Sequence, residues 1–461
     1  MSPNTPRNPS EPLHPKDTPD NTLAITGEAS RPHNLPNRHK VGIDFSYDKR
    51  GRLHVHLSLP LDPKYPAEAR ATELPIFGYE RKKILDVRYT LDVDVTSLMQ
   101  GLSERIRALL DPATEIGRVL REEVSLTDSQ QQEILRYLVQ DGKYLFYQLF
   151  EDIQIDEYKE VKLAAIKSVF SHEQIIHITN AEPLLPWGFL YHLPDEQAEA
   201  DLYGLPSYDP ENPAPDGFWG FMHEIQEELP CTSQTLPLPS DCKVVTAICA
   251  IVDNQGWHQE DDHPLVTLGE RVIHKTTEAE LGHALGDFGW HCLYFFGHAY
   301  HSNNPSALTS WVKLLNIQLT VAKLKSHYHA PQFKQRPVIA FLNGCNTAAL
   351  NQWSKETFIG YLCESEHARG SVCCLVAVDS LPSALAAEFA KRFWRYFLCD
   401  RQYIGSAILN ARRDILKAQK NPLGLLYSLF GRVDTHVEGG SEKEVERPVP
   451  PDTAAYTALT A

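Results

Sequence analysis

No run in this 461-residue sequence approaches the roughly 18 uninterrupted apolar residues that a membrane-spanning helix requires. There is no cluster of Lys and Arg either, and 60 acidic residues outnumber 44 basic ones, for a formal net charge of −16. Sequence-independent binding to nucleic acid needs many phosphate-neutralising cations, so the chain is a poor candidate for it, no direct nucleic-acid partner is expected, and the charge serves solubility. The opening MSPNTPRNPSEPLHPKDTPD lacks the apolar segment of a secretory signal, so no membrane and a cytoplasmic location are expected. Nine cysteines at irregular spacing do not make a disulfide framework. Cys-x-x-Cys and His-Glu-x-x-His spacings, a nucleotide-binding motif and internal repeats are all missing. Neither a metal nor another cofactor is expected.

What is present has the texture of a globular protein, 42% hydrophobic and 23% charged, with length enough for a large domain and an accessory part. Residues 1–38 and 436–461 are polar, rich in Pro and charge, and read as disordered tails. Between them, residues 39–149 read as a smaller α+β region. It opens with an alternating hairpin around Arg50-Gly51, then a strand in ILDVRYTLDVDV, a helix in TSLMQGLSERIRALL, and a second helix behind a Thr127/Gln130 capping box.

From 150 to 435 the pattern changes. EQIIHIT, KVVTAICAIVD, HCLYFFG, PVIAFLNG and GSVCCLVAVD are short, nearly continuous apolar runs, as strands covered on both faces of a parallel sheet are. Helical patterns separate and follow them. One opens on a Thr277/Glu280 capping box, and another aligns Leu385, Phe389, Phe393 and Tyr396. The alternation predicts an α/β fold, a mostly parallel sheet flanked by helices. Two polar insertions, 195–217 and 253–265, read as long surface loops.

Two of the apolar runs end alike. HCLYFFG is followed by His298 and PVIAFLNG by Cys345, 47 residues later, room for one right-handed crossover between parallel strands. Open α/β sheets bind ligands beyond the carboxyl ends of their strands, so both side chains would share one rim. A helix starting in NTAAL would lower the thiol pKa, and a nearby imidazole would serve as base and then as acid. Two other readings stay open on spacing alone. Cys345 is a buried structural cysteine, or the clustered His298, His301, His327 and His329 belong to a zinc site without a standard ligand spacing.

Several segments, in order, resemble the CHAT domain, a caspase-like family related to separases and other clan CD cysteine proteases. LLPWGFLYHLP (184–194) and GFWGFMHEI (217–225) are similar to conserved stretches of that family, with Gly188 where Glu is usual. YFFGHAY and AFLNGCNTA resemble the strands that end in the catalytic histidine and the nucleophile. HARGSVCCLVAVDSLPSALAAEFAKRFWRYFL and SAILNARRDIL with NPLGLLYSLFG resemble its closing strands and helices.

The resemblance implies a cysteine endopeptidase with Cys345 as nucleophile and His298 as general base and acid. The backbone N–H groups of Ala299 and Cys345 would hold the oxyanion. Ala299 stands where many relatives have glycine, and its methyl narrows the freedom of the turn expected there. Asp379, Asn343 and Asn346 are candidates for substrate binding, with turn or helix-cap roles as their plainer alternatives. Trp187 and Trp219 read as core aromatics. Family membership also implies a protein substrate (a gasdermin-like pore former or a regulatory protein), an activator on a separate chain, and a place in prokaryotic antiviral defence or cell death. The competing expectation is a catalytically silent caspase-like scaffold for protein interaction.

Overall fold

The structure, a computed structural model, describes residues 40–47, 53–60, 71–73, 83–91, 95–151, 159–179, 186–194, 197, 206–227, 237–248, 263–275, 277–286, 290–300, 311–314, 317–320, 322–323, 339–344, 373–377 and 381–438. All of these lie within one compact unit, Arg38–Ala461.

Alternation makes the first two strands. In β1 (Lys40–Tyr47) and β2 (Leu53–Pro60), Val41, Ile43, Phe45, Val55 and Leu57 are buried while Asp44, His54 and His56 between them stay half-exposed. The two pair antiparallel, Ile43 opposite Leu57, and β3 (Ala71–Glu73) and β4 (Lys83–Leu91) extend the ribbon. Three helices follow, α1 (Val95–Leu109), α2 (Glu115–Glu122) and α3 (Asp128–Phe146). The capping box that opens α3 is formed: the Gln130 N–H donates to Thr127 Oγ1 at 3.2 Å, and the Thr127 N–H donates to Gln130 Oε1 at 2.8 Å.

Helix α4 (Lys159–Phe170) leads into β5 (Ile175–Thr179), which pairs parallel with β1 and so draws the N-terminal ribbon into the main sheet. A short α5 (Trp219–Met222) precedes β6 (Glu224–Glu227), parallel to β5. Next come β7 (Val244–Ile248), α6 (Pro264–Thr267), β8 (Val272–Lys275) and α7 (Glu278–Gly286), the last behind its own reciprocal Thr277/Glu280 cap. The remaining strands are β9 (Cys292–Tyr300), β10 (Trp311–Leu314), β11 (Ile317–Thr320), β12 (Ile339–Gly344), β13 (Cys373–Ala377) and β14 (Tyr427–Phe430). Helices α8 (Ser383–Trp394) and α9 (Ile404–Gln419) lie between the last two strands.

The strands form one mixed sheet. Strands β8, β7, β9, β12 and β13 run parallel to one another in that spatial order. Strand β14 is antiparallel to β13, and β6, β5 and β1 continue parallel to β14. The carboxyl ends of β9, β12 and β13 therefore share an edge with the amino ends of β14 and β6. On one face Phe341 of β12 packs against Phe389, Phe393 and Trp394 of α8 and against Tyr427, with ring centroids 5.3 to 6.3 Å apart. Trp187 and Trp219 are fully buried and face each other at 6.4 Å. Ordered pairing continues to Glu438, since Leu238 exchanges backbone bonds with His436 and Glu438. The expected disordered tail 436–461 is therefore corrected at 436–438, which are paired, while residues 1–39 and 439–461 lie outside the described residues.

Mid-helix glycine normally weakens a helix, yet α3 carries Gly142. A Cβ there would fall 2.4 Å from the Phe189 carbonyl oxygen and 2.8 Å from Tyr191 Cβ, and the Tyr191 N–H donates to the Gly142 carbonyl at 3.2 Å. The helix is bare at that point so that residues 189–191 can lie directly on it. Gly142→Ala is expected to lose roughly 1–3 kcal/mol of unfolding free energy in a urea titration, in spite of alanine's better helix propensity.

Candidate active site

In chain order from β7, the parallel strands run second, first, third, fourth and fifth across the sheet. The winding reverses between β7 and β9, and the crevice beyond the carboxyl ends at such a reversal is where open α/β sheets bind ligands. Pairing of β9 with β7 stops at Phe296 opposite Ile248. From His298 to Tyr300 the same edge of β9 is taken over by β10, with His298 opposite Lys313 and Ala299 opposite Val312. On its other edge β9 pairs with β12 as far as Gly297 opposite Gly344. Both glycines are buried. Residue 298 thus stands where β9 changes neighbours, one position beyond its last pairing with β12.

Strand β9 runs three residues further than its apolar run, because pairing with β10 holds His298, Ala299 and Tyr300 in extended form. Ala299 is consequently a strand residue, not the turn residue expected, and extended backbone imposes no penalty on its methyl. Cys345, Asn346 and Asp379 lie outside the described residues. Asn343 is described. Its side chain is 1% exposed and lies below the rim, where its hydrogen bonds go to the protein itself. Asn343 Nδ2 donates to Tyr294 Oη at 3.2 Å and to the Ala386 carbonyl at 2.9 Å, while its Oδ1 accepts from Tyr427 Oη at 2.6 Å. Tyr294 and Tyr427 were missed by sequence reasoning, since each sits in a run that reads as plain hydrophobic core. Burial raises the pKa of the Tyr294 hydroxyl well above its ordinary value, and the bond to Asn343 opposes that only partly.

A second buried polar group borders the same edge. The Arg412 guanidinium of α9 donates from Nη1 to the Gly220 carbonyl at 3.1 Å and from Nη2 to the Tyr427 carbonyl. Burial lowers its pKa to about 10, with Glu227 pulling the other way, and it remains a cation at neutral pH. Burial also pushes the Glu227 carboxyl well up, against the pull of the Ser428 hydroxyl and Arg412. A Cβ on Gly188 would come 3.8 Å from Arg412 Nη2, so the cation faces that bare position. In this chain Glu227 is the acid beside it.

His223, just before β6, is fully buried, and its Nδ1 accepts the Gln174 N–H at 3.3 Å, which only the neutral ring permits. Burial first, then the positive Arg413, lowers its pKa from the usual 6.5 to about 3. Among the described residues no group of three or more His, Cys, Asp or Glu is placed to hold a metal ion. No helix among them is long and apolar enough to cross a membrane.

The sequence profile of the CHAT domain matches residues 205–447, just over half of the chain. The chain belongs to the CHAT family. This membership bears out the resemblance carried by YFFGHAY, AFLNGCNTA and their neighbouring segments. A "probable protease" of Vitiosangium sp. (strain GDMCC 1.1324) is 25% identical over 243 residues, covering 49% of this chain and 30% of that protein. The chain thus spans less than a third of that relative's length. Two structures of the Saccharomyces cerevisiae separase–securin complex align with 87% and 86% of this chain and 30% of theirs, at TM-scores of 0.39 and identities of 10% and 11%.

A base with a lower pKa in the folded state takes up its proton first in the unfolded chain. His223 therefore supports the CHAT fold fully above pH 6.5 and withdraws that support as pH falls towards 3, by roughly 4–5 kcal/mol in total. Thermal unfolding of His223→Gln should show a shallower loss of Tm than the parent between pH 6.5 and 4. Parallel curves would mean that the ring is already solvated in the native state.

Proposed function

We propose that this CHAT protein is a cysteine endopeptidase with Cys345 as nucleophile and His298 as general base and acid. The observation that carries this reading is the pairing of Gly297 with Gly344 on adjacent parallel strands. Each reactive residue follows one of those glycines directly in the chain, and consecutive Cα atoms are about 3.8 Å apart. That spacing supports a thiol and an imidazole within reach of one peptide bond. Family membership supports the assignment of roles.

In the reaction, the Cys345 thiolate adds to the carbonyl carbon of the scissile peptide. The oxyanion is held by the N–H groups of Ala299 and Cys345. His298, protonated by the thiol, passes its proton to the departing amine as the C–N bond breaks and a thioester remains. It then takes a proton from water, whose hydroxide releases the acid and restores the thiolate. Asp379 would line the pocket for the residue before the cut and favour a basic side chain, and Asn346 would bind the substrate backbone.

The catalytic domain is residues 150–435, its sheet extended by the strands of 39–149. The enzyme works in the cytoplasm, on a protein such as a gasdermin-like pore former or a regulatory factor, in prokaryotic antiviral defence or cell death. It is held inactive until a separate activator repositions parts of the segments 195–217, 253–265 and 299–312, whose described portions 206–217, 263–265, 299–300 and 311–312 already belong to the ordered fold.

With the activator present, a peptide-derived acyloxymethyl ketone should modify Cys345 selectively among the nine cysteines. His298→Ala should slow that modification by about a hundredfold or more. Indifferent labelling of all nine thiols, with the activator present, would replace the enzyme by the scaffold reading.

A further inference from the structure

One amide joins four elements directly beneath the candidate rim. Asn343 belongs to β12, Tyr294 to β9, Tyr427 to β14, and Ala386 to the first turn of α8. The Tyr427 hydroxyl donates to Asn343 Oδ1 at 2.6 Å, and Asn343 Nδ2 donates to Tyr294 Oη and to the Ala386 carbonyl at 3.2 and 2.9 Å. None of the three side chains is more than 1% exposed, and the surroundings are the rings of Phe341, Phe389 and Trp394.

Stability does not account for this arrangement. Hydrogen bonds exchanged for those with water contribute little net, and replacing all partners with apolar groups of similar shape is close to neutral. A Leu flanked by two Phe would fill this space without desolvating any amide or hydroxyl. What such a cluster lacks is direction. Dispersion contacts tolerate sliding and rotation, whereas three bonds to one planar amide fix distances and angles between the strands that bear it.

Those strands are the ones that matter to the proposed chemistry. Asn343 is one residue before Gly344 and two before Cys345. Tyr294 lies four residues before His298 on the neighbouring strand, across from Phe341. Tyr427 opens β14, opposite Ala377, the last residue of β13.

We propose that Asn343, held by Tyr427 and Tyr294, is a positioning residue that fixes the carboxyl ends of β9 and β12 relative to each other, and hence the approach of His298 to Cys345. The proposal rests on the endopeptidase reading. In it, the network contributes to the rate by geometry and touches no substrate.

The test compares the full-length chain with Tyr427→Phe and with a triple variant, Asn343→Leu, Tyr294→Phe and Tyr427→Phe. Tyr427→Phe leaves Asn343 Oδ1 without its hydroxyl donor, and the triple variant substitutes an apolar cluster for the whole network. Each is measured for Tm, for the rate constant of Cys345 modification by the peptide-derived ketone, and for the pH dependence of that rate. We expect at least a tenfold slower modification in Tyr427→Phe. In the triple variant Tm should return to within a few degrees of the parent while the rate stays at least tenfold down. Its pH profile should move towards that of His298→Ala.

A triple variant that regains the parent rate along with its Tm would overturn the positioning role and leave a packing role. So would rates that fall only in proportion to the unfolded fraction. An unreactive Cys345 in the parent chain, with its activator present, would instead remove the endopeptidase reading, and the positioning role with it.

Discussion

Everything at the carboxyl rim depends on the parallel pairing of β9 with β12. Six consecutive register pairs, from Cys292 with Ile339 to Gly297 with Gly344, bring together two segments of chain 47 residues apart. The pairing holds because both strands are apolar on both faces. Leu293, Tyr294, Phe295 and Phe296 on one, and Ile339, Ala340, Phe341 and Leu342 on the other, are all under 3% exposed. Main-chain hydrogen bonding supplies the register, and burial of both faces removes the alternatives. A slip by one residue would move the His298 and Cys345 positions out of step and would also tear Asn343 from Tyr294 and Tyr427.

Polar groups in this fold are concentrated where strands of different origin meet. Strand β6 reads Glu-Ile-Gln-Glu, yet all four residues are buried. Ser406 donates to Glu224 at 2.7 Å, and Gln226 Oε1 accepts the Val433 N–H at 3.2 Å. Glu227 shares its surroundings with Ser428 and Arg412. Each is bound from an element that arrives some 180 to 210 residues later in the chain. Buried groups of this kind are costly when mismatched, so they favour one assembly of the two halves over near-alternatives.

This distribution explains what sequence reasoning reached and what it did not. The strands β5, β7, β9, β12 and β13 announce themselves as continuous apolar runs because parallel strands are covered on both sides. The two capping boxes are local, and both formed. Strand β6 is invisible to such reasoning, because its partners lie far away in sequence and its residues look like solvated surface. The β10–β11 hairpin was missed for a related reason. Trp311–Leu314 and Ile317–Thr320 are too short to show a period, and the pairing of β10 with β9 is what lengthens that strand past Gly297. The rim was legible from two strand ends with reactive residues, but the use of Asn343 was not. Its neighbours in sequence suggested a turn, whereas its partners are two tyrosines 49 and 84 positions away.

Strand β14 meets β6 in a single register pair, Phe430 with Glu227, so main-chain bonding gives that junction little resistance to shear. Helix α9 lies across it like a rivet. From this one helix, Ser406 grips Glu224, Arg412 grips the carbonyls of Gly220 and Tyr427, and Arg413 grips the carbonyl of Phe221. The side chains of one helix, more than the strand ladder, therefore hold the N-terminal strands against the half of the sheet that carries the rim.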